Sequence, residues 1–521
     1  MTAPPTDHPA GLVSATAGDD PVVAGAVRGL GGSPGRHARL GSSRFWTPVR
    51  WLVLLTLLTS LVGFWQKSPC RAEPWVDNYQ YTRACYTDVH ALYFAERLHE
   101  GATPYYEHPV EYPVVTGAVM GLAAGIVEVF PAQERPRRFY DVTWALLTAC
   151  ALVVVATTAR LAGRRPWDAA LFALAPALVL HGSTNWDLAA MALAGLGLLQ
   201  WARRRPVAAG ALLGVATAAK LYPALFLLPL GLLCLRAGRM RAFWRAAAAL
   251  VAVPVLLSGP VYLTAPSFAD VDGTQVRVAA SPLERLGSQG LAALDPHVVA
   301  TTDDGRSVVG VNAVYRFVEL NRTRPADWDS LWFALQEARG GATLDGLVPG
   351  GEAPDRLNLG AAMLLVVALA GVCVLALRAP RRPRLPQLLF LVVVAFLVTN
   401  KVWSPQFSLW LVPLLALARP RWRSFLVWQA AEAVLLLTRF WFFIGNADSG
   451  EGVSTPWFLT AVLVRDAVLL GIAALVVRDV LQPERDVVRR SGGDDDDVDD
   501  PAGGVLDGAP DRVRQPAPSP G

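Results

Sequence analysis

Lysine is almost missing from this 521-residue chain. Of its 47 basic residues all but Lys67, Lys220 and Lys401 are arginine. Charge of either sign is scarce, at 17 % of residues against about a quarter in average soluble domains. Five cysteines in so long a chain exclude a disulfide-dense secreted scaffold. There is no Walker A loop, no glycine-rich dinucleotide fingerprint, no zinc spacing and no nucleophile elbow. Those gaps remove nucleotide-driven transport and the common soluble hydrolases. What is abundant is apolar: 53 % of residues even without glycine, and a mean hydropathy of +0.35. Trp51–Trp65, Val142–Thr158, Ala246–Thr264, Leu359–Leu377 and Leu385–Thr399 carry no charge, and several approach the roughly 20 residues that cross a bilayer core. The chain reads as an all-α integral membrane protein. A net charge of +4, with arginines grouped in short loops, is an orientation signal and not a nucleic-acid surface.

Composition divides the chain into three parts. Residues 1–43 and 483–521, the latter with the acidic run ending at Asp500, read as disordered tails around a polytopic domain at 44–482. Arg160–Arg165, Arg203–Arg205, Arg236–Arg245, Arg378–Arg384 and Arg419–Arg423 belong in the cytoplasm by the positive-inside rule. Both termini are then cytoplasmic. The loops 67–112 and 265–357, the turn His181–Asp187 and the breaks near Lys220 and Asn400 face outside. The apolar run 113–131 breaks this alternation and is read as re-entrant or interface-lying. About 12–13 membrane helices result, several too short for ordinary spans; short helices meeting at polar breaks line internal cavities.

Ionisable groups at membrane depth are costly and so are functional candidates. Here they gather at outer ends of helices. Asp77, Asp88, Tyr105, Glu107, Glu111 and Tyr112 lie in the first outer loop, and His181, Asn185 and Asp187 in the next turn. Lys220 with Tyr222, and Asn400 with Lys401 and Gln406, sit at helix breaks. A lysine ammonium suits a phosphate oxygen or a buried carboxylate; snorkelling to the interface is its plain alternative. Capping is the plain role for Asp88 and Asp187, and an interfacial position for His181. Cys70 and Cys85 share the outer loop, where a bridge would close the segment that presents Asp88. Two free thiols are the other reading. Asn321-Arg-Thr323 matches a glycosylation acceptor only by chance.

Asp88-Val-His-Ala-Leu-Tyr93, Leu98-His-Glu-Gly101, Pro104-Tyr105 and Glu111-Tyr-Pro113 form an ordered set of motifs. Asn185-Trp-Asp187, Lys220-Leu-Tyr-Pro223 and Asn400-Lys-Val-Trp-Ser-Pro-Gln406 follow it. Together they resemble the polyprenol-phosphate-sugar-dependent glycosyltransferases of the GT-C fold, family 87, which includes actinobacterial phosphatidylinositol mannoside mannosyltransferases. The resemblance covers about residues 45–480. It implies a GT-C helix bundle in the plasma membrane that transfers a hexose, mannose by analogy, with inversion. The donor is a polyprenyl-phosphate sugar and the acceptor a lipid or glycan at the outer face. Asp88 falls on the general base, and donor-phosphate contacts fall on Lys220 and Lys401, with Arg285 as a further cation. Tyr105, Glu111, Tyr112, His181, Asn185, Asp187, Tyr222, Asn400 and Gln406 remain as substrate contacts. One base suffices for attack by a hydroxyl, and the phosphate leaves without an acid, so no cofactor is required. A multi-pass transporter or lipid flippase is the alternative reading, and an envelope-assembly scaffold the third.

Overall fold

Twelve apolar helices account for the hydropathy pattern in the computed structural model, which describes residues 20–29, 45–72, 78–302, 305–341, 355–446, 451–490 and 500–512. Six are long enough to cross a bilayer: α1 (Pro48–Ala72), α3 (Arg135–Leu161), α7 (Met240–Thr264), α8 (Asp355–Arg378), α11 (Trp422–Gly445) and α12 (Thr455–Leu481). Six are shorter: α2 (Val114–Val127), α4 (Asp187–Ala202), α5 (Pro206–Ala219), α6 (Tyr222–Ala237), α9 (Leu385–Thr399) and α10 (Pro405–Ala418). The short ones form the centre. Nearly all of α9 and α10 is buried, whereas α7 and α8 bury little and turn aliphatic side chains outward. Without a hydrophobic force between helices in lipid, close approach rests on small residues. At Gly210 a Cβ would lie 2.0 Å from the Ala246 carbonyl oxygen, so α5 reaches α7 only as glycine.

Helix α2 settles the irregular run at 113–131. Near its start Thr116 donates to the Ala219 carbonyl (2.8 Å), and beyond its end Glu128 lies beside Gly101 of the first loop. Both ends therefore lie at the same end of the bundle, and α2 does not cross it.

The helical expectation leaves out a sheet. Loop 265–357 carries four antiparallel strands, β1 (Ser267–Val271), β2 (Thr274–Ala279), β3 (His297–Thr301) and β4 (Ser307–Asn312), in the order β2-β1-β4-β3. Val and Thr at 274, 276 and 278 and at 298, 299 and 301 suit a half-exposed strand. Asn312 ties the sheet to the tip of α7, donating to the Tyr262 and Ala265 carbonyls. Residues 342–354 lie outside the described ones.

The tails depart from expectation where they are described. Residues 1–19, 30–44, 491–499 and 513–521 lie outside the described residues, but Pro21–Gly29 is helical and 500–512 fold back onto the basic-loop end. Asp500 accepts from the Leu385 amide (2.7 Å), the Trp201 indole donates to the Gly503 carbonyl (3.0 Å), and Asp511 pairs with Arg236. An acidic stretch reads as solvated in sequence, yet arginines of distant loops neutralise these carboxylates.

Cys70 and Cys85 are bonded, and Cys150, Cys234 and Cys373 are free. Mass analysis of the denatured chain should therefore show three alkylations without reductant and five with it. Five in both conditions would exclude the bridge.

Candidate active site

Thr87 starts the helix Asp88–Ala95, its hydroxyl accepting from the Val89 amide (3.2 Å). The same hydroxyl donates to the Ser183 carbonyl (2.8 Å), and the Asp88 amide donates to the Thr184 carbonyl (2.8 Å). The first loop is thereby clamped to the turn at 181–187. Capping falls to Thr87, which leaves the Asp88 carboxylate free to enter a cavity of about 880 Å³.

Burial pushes the Asp88 carboxyl up to about 6, against the opposing hydrogen bond from Tyr86. Gln406 also approaches it, Nε2 to Oδ2 at 3.4 Å. A carboxylate in that range is mostly ionised at neutral pH yet basic enough to take a proton. Burial likewise raises the phenols of Tyr86 and Tyr112.

Lys220 ends α5 and lines the same cavity. Its Nζ lies 2.8 Å from Asp187 Oδ1, at an angle that makes an ion pair and not a hydrogen bond. The rings of Tyr112 and Phe407 flank it at 4.8 and 4.9 Å. Asn185 braces the chain just ahead of α4, its Oδ1 accepting from the Asp187 amide (3.0 Å). Tyr222 stacks on Trp410 at 4.4 Å.

Eight of the residues expected from sequence line the cavity: Asp88, Glu111, Tyr112, His181, Lys220, Tyr222, Asn400 and Gln406. Asn185 and Asp187 stand just behind it. Tyr105 does not face it; its hydroxyl donates to the Tyr112 carbonyl (2.9 Å) and fills the space at Gly117, where a Cβ would lie 2.1 Å from that oxygen. Glu107 accepts from the Thr103 amide at the surface. Asp77 lies outside the described residues.

Two residues expected to contact phosphate, Lys401 and Arg285, do not line the cavity. Lys401 is 5 % exposed and donates to the carbonyls of Arg322 (3.1 Å) and Arg324 (2.5 Å), so it anchors the long loop. Arg285 is also buried, bonded to the carbonyls of Ala280 and Ala293 and to Gln289 Oε1. Both ammonium and guanidinium are spent on backbone that the chain could not otherwise satisfy.

Three other cations line the cavity. Lys67 lines the cavity and donates to the Tyr86 carbonyl (2.6 Å). Arg439, paired with Asp329 at 2.8 Å, and Arg324, 3.2 Å from Glu111, complete the set. His181 presents a buried Nε2 with no hydrogen-bond partner among the described residues. Lys67 and Arg439 had a signal in sequence, each being a charge inside an apolar helix. Arg324, Asp327 and Trp328 had none, since only the fold of the long loop brings them over the cavity.

The profile of Glycosyltransferase family 87 matches residues 136–405, just over half of the chain. No curated protein matches. Among solved structures, ArnT from Cupriavidus metallidurans bound to undecaprenyl phosphate is similar over 84 % of this chain and 79 % of its own, at 15 % identity and a TM-score of 0.38. The apo oligosaccharyltransferase of Archaeoglobus fulgidus is similar over 83 % of this chain and 56 % of its own, at 13 % identity and a TM-score of 0.36.

Proposed function

We propose, from the premise that the chain belongs to glycosyltransferase family 87, that this membrane glycosyltransferase uses a polyprenyl-phosphate sugar. It moves the hexose, mannose by family analogy, to a lipid or glycan acceptor. The reaction takes place at the outer face of the plasma membrane in a GT-C arrangement, with the basic-loop end in the cytoplasm. Family membership sets the transporter and scaffold readings aside. The observation that carries the mechanism is the entry of the half-buried Asp88 carboxylate into a cavity that also holds Lys220.

In this reading the acceptor hydroxyl gives its proton to Asp88 as its oxygen bonds to the anomeric carbon. The bond from that carbon to the phosphate oxygen breaks on the opposite face, which inverts the configuration. The electron pair leaves on the lipid phosphate. Lys220 meets the growing charge, with the unpartnered Nε2 of His181 and the charges of Lys67 and Arg439 along the same walls. Phosphate is already a weak base, so no second carboxylate is needed as acid, unlike the paired carboxylates of glycosidases. Neither does the step call for a cofactor.

The test is incubation of the purified chain in nanodiscs with polyprenyl-phosphate mannose and a membrane lipid extract, followed by mass analysis of mannosylated product. No transfer of the sugar to any lipid or glycan would reject the donor. The same assay carries a pH prediction. Because burial raises Asp88 to about 6, its base form is present above that pH and lost as pH falls through it. The rate should therefore decline tenfold per pH unit below about 6. A flat profile between pH 5 and 7 would reject Asp88 as the base.

A further inference from the structure

In the long loop, the helix Pro282–Gln289 and the turn Gly290–Leu294 leave four leucines uncovered. Leu283, Leu286, Leu291 and Leu294 are 54, 41, 83 and 40 % exposed. One exposed leucine is ordinary, but four on adjoining turns make an apolar patch that marks an interaction surface. The stretch is also internally braced. Ser281 caps the helix, accepting from the Glu284 amide (3.3 Å), and the Arg285 guanidinium joins Ala280, Gln289 and Ala293 at 3.1 Å each. That brace is the use to which Arg285 is put. It holds the helix and the following turn in fixed relation, so the leucines cannot fold inward.

What lies next to the patch identifies its partner. The Tyr262 hydroxyl, in the last turn of α7, donates to the Leu294 carbonyl (2.7 Å). Helix α7 is apolar over a full bilayer thickness, and only 11 % of its most apolar window is buried by protein. Val251, Val255, Leu256 and Leu263 face outward along it, which is the surface that acyl chains cover. The leucine patch is fastened to the tip of that lipid-facing helix and continues its apolar surface beyond the span. Glu284, Ser288 and Gln289 are exposed on the same element and suit headgroups and water.

We infer that Pro282–Leu294 is an interfacial segment whose leucines enter the acyl boundary of the leaflet on the cavity side. Its partner is the bilayer surface itself. An amphipathic element of this kind lies in the interface plane with its apolar side a few ångströms below the headgroups. Through Asn312 and the sheet, it sets the height of the long loop whose later residues, Arg324 to Trp328, wall the cavity. The inference does not depend on the transfer chemistry.

Nitroxide labelling tests it in the full-length chain in lipid nanodiscs, with Cys70 and Cys85 kept and Cys150, Cys234 and Cys373 replaced by serine. Labels are placed through Leu286→Cys, Leu291→Cys and, as the polar control, Ser288→Cys. All three positions are exposed, so the labels do not disturb the core. Collisions with a water-soluble nickel chelate are expected to be several-fold rarer at 286 and 291 than at 288, and collisions with oxygen more frequent. Equal chelate access at the three positions would overturn the inference by showing a solvent-facing patch. Spin–spin broadening at 286 or 291 that disappears on dilution with unlabelled chain would overturn it too, by placing a second copy there.

Discussion

Asp88→Asn should leave a folded, membrane-inserted protein whose transfer rate has fallen by about 10²–10⁴-fold, the scale of losing a general base. Asparagine keeps the size of the side chain and can still meet Gln406. The helix start does not change, because Thr87 caps it. A loss of activity therefore cannot be assigned to unfolding of the Asp88–Ala95 helix. Relieving a half-buried carboxylate of its desolvation should leave thermal stability equal or higher. The rate is read by product formation from polyprenyl-phosphate mannose, and folding by monodisperse elution and melting temperature. Asp77→Asn is the comparison, since that residue shares the loop. Activity retained in Asp88→Asn and lost in Asp77→Asn would move the base to Asp77. Activity retained in both would refute a single-aspartate mechanism.

The second large effect concerns Lys220, and it requires two variants. Lys220→Gln alone removes the partner of Asp187, which is 2 % exposed, and an unpaired buried carboxylate costs about 3–5 kcal/mol. The single variant should melt at a clearly lower temperature. Lys220→Gln with Asp187→Asn removes both charges and should recover most of that stability. If Lys220 holds the departing phosphate, the double variant remains slow. A lost charge-assisted contact to a developing oxyanion is worth about 2–4 kcal/mol of barrier, or roughly 30- to 1,000-fold in rate. Recovery of full turnover along with stability would assign the pair to structure alone. Lys401→Gln is expected to behave differently. It frees the Arg322 and Arg324 carbonyls and should lower stability, with transfer lost only as far as the long loop loosens.

Residues that make their contacts close in sequence were readable from the chain. The Cys70–Cys85 bridge joins residues only 15 apart, and Asp88 follows directly on the residue that caps its helix. The clustering of polar groups at one end of the bundle was readable as well, because an apolar helix admits charge cheaply only near its tips. The long loop was not. Valine recurs in its strands, but the sheet joins β1 to β4 across 43 to 45 residues, and pairing of that range leaves no local mark. The contacts of the described stretch 500–512 were not legible for a related reason. Its composition matches a solvated tail, and only the folded end of the bundle supplies Arg236 and the amide of Leu385 as partners.

The sequence by itself determined that this chain is a polytopic helical membrane protein, because 53 % apolar residues in long uncharged runs have no other stable disposition. It also determined the family, through motifs whose order survives in a linear reading. Which cations line the cavity was decided by tertiary structure. Lys220, Lys401 and Arg285 look equivalent in sequence, each a cation beside a helix break or a loop. In the fold one faces the cavity and the other two are consumed by carbonyls, while Lys67 and Arg439 enter from helices far apart in the chain. A long cationic side chain takes whatever acceptors surround it, and those acceptors are set by packing between segments that the sequence keeps far apart.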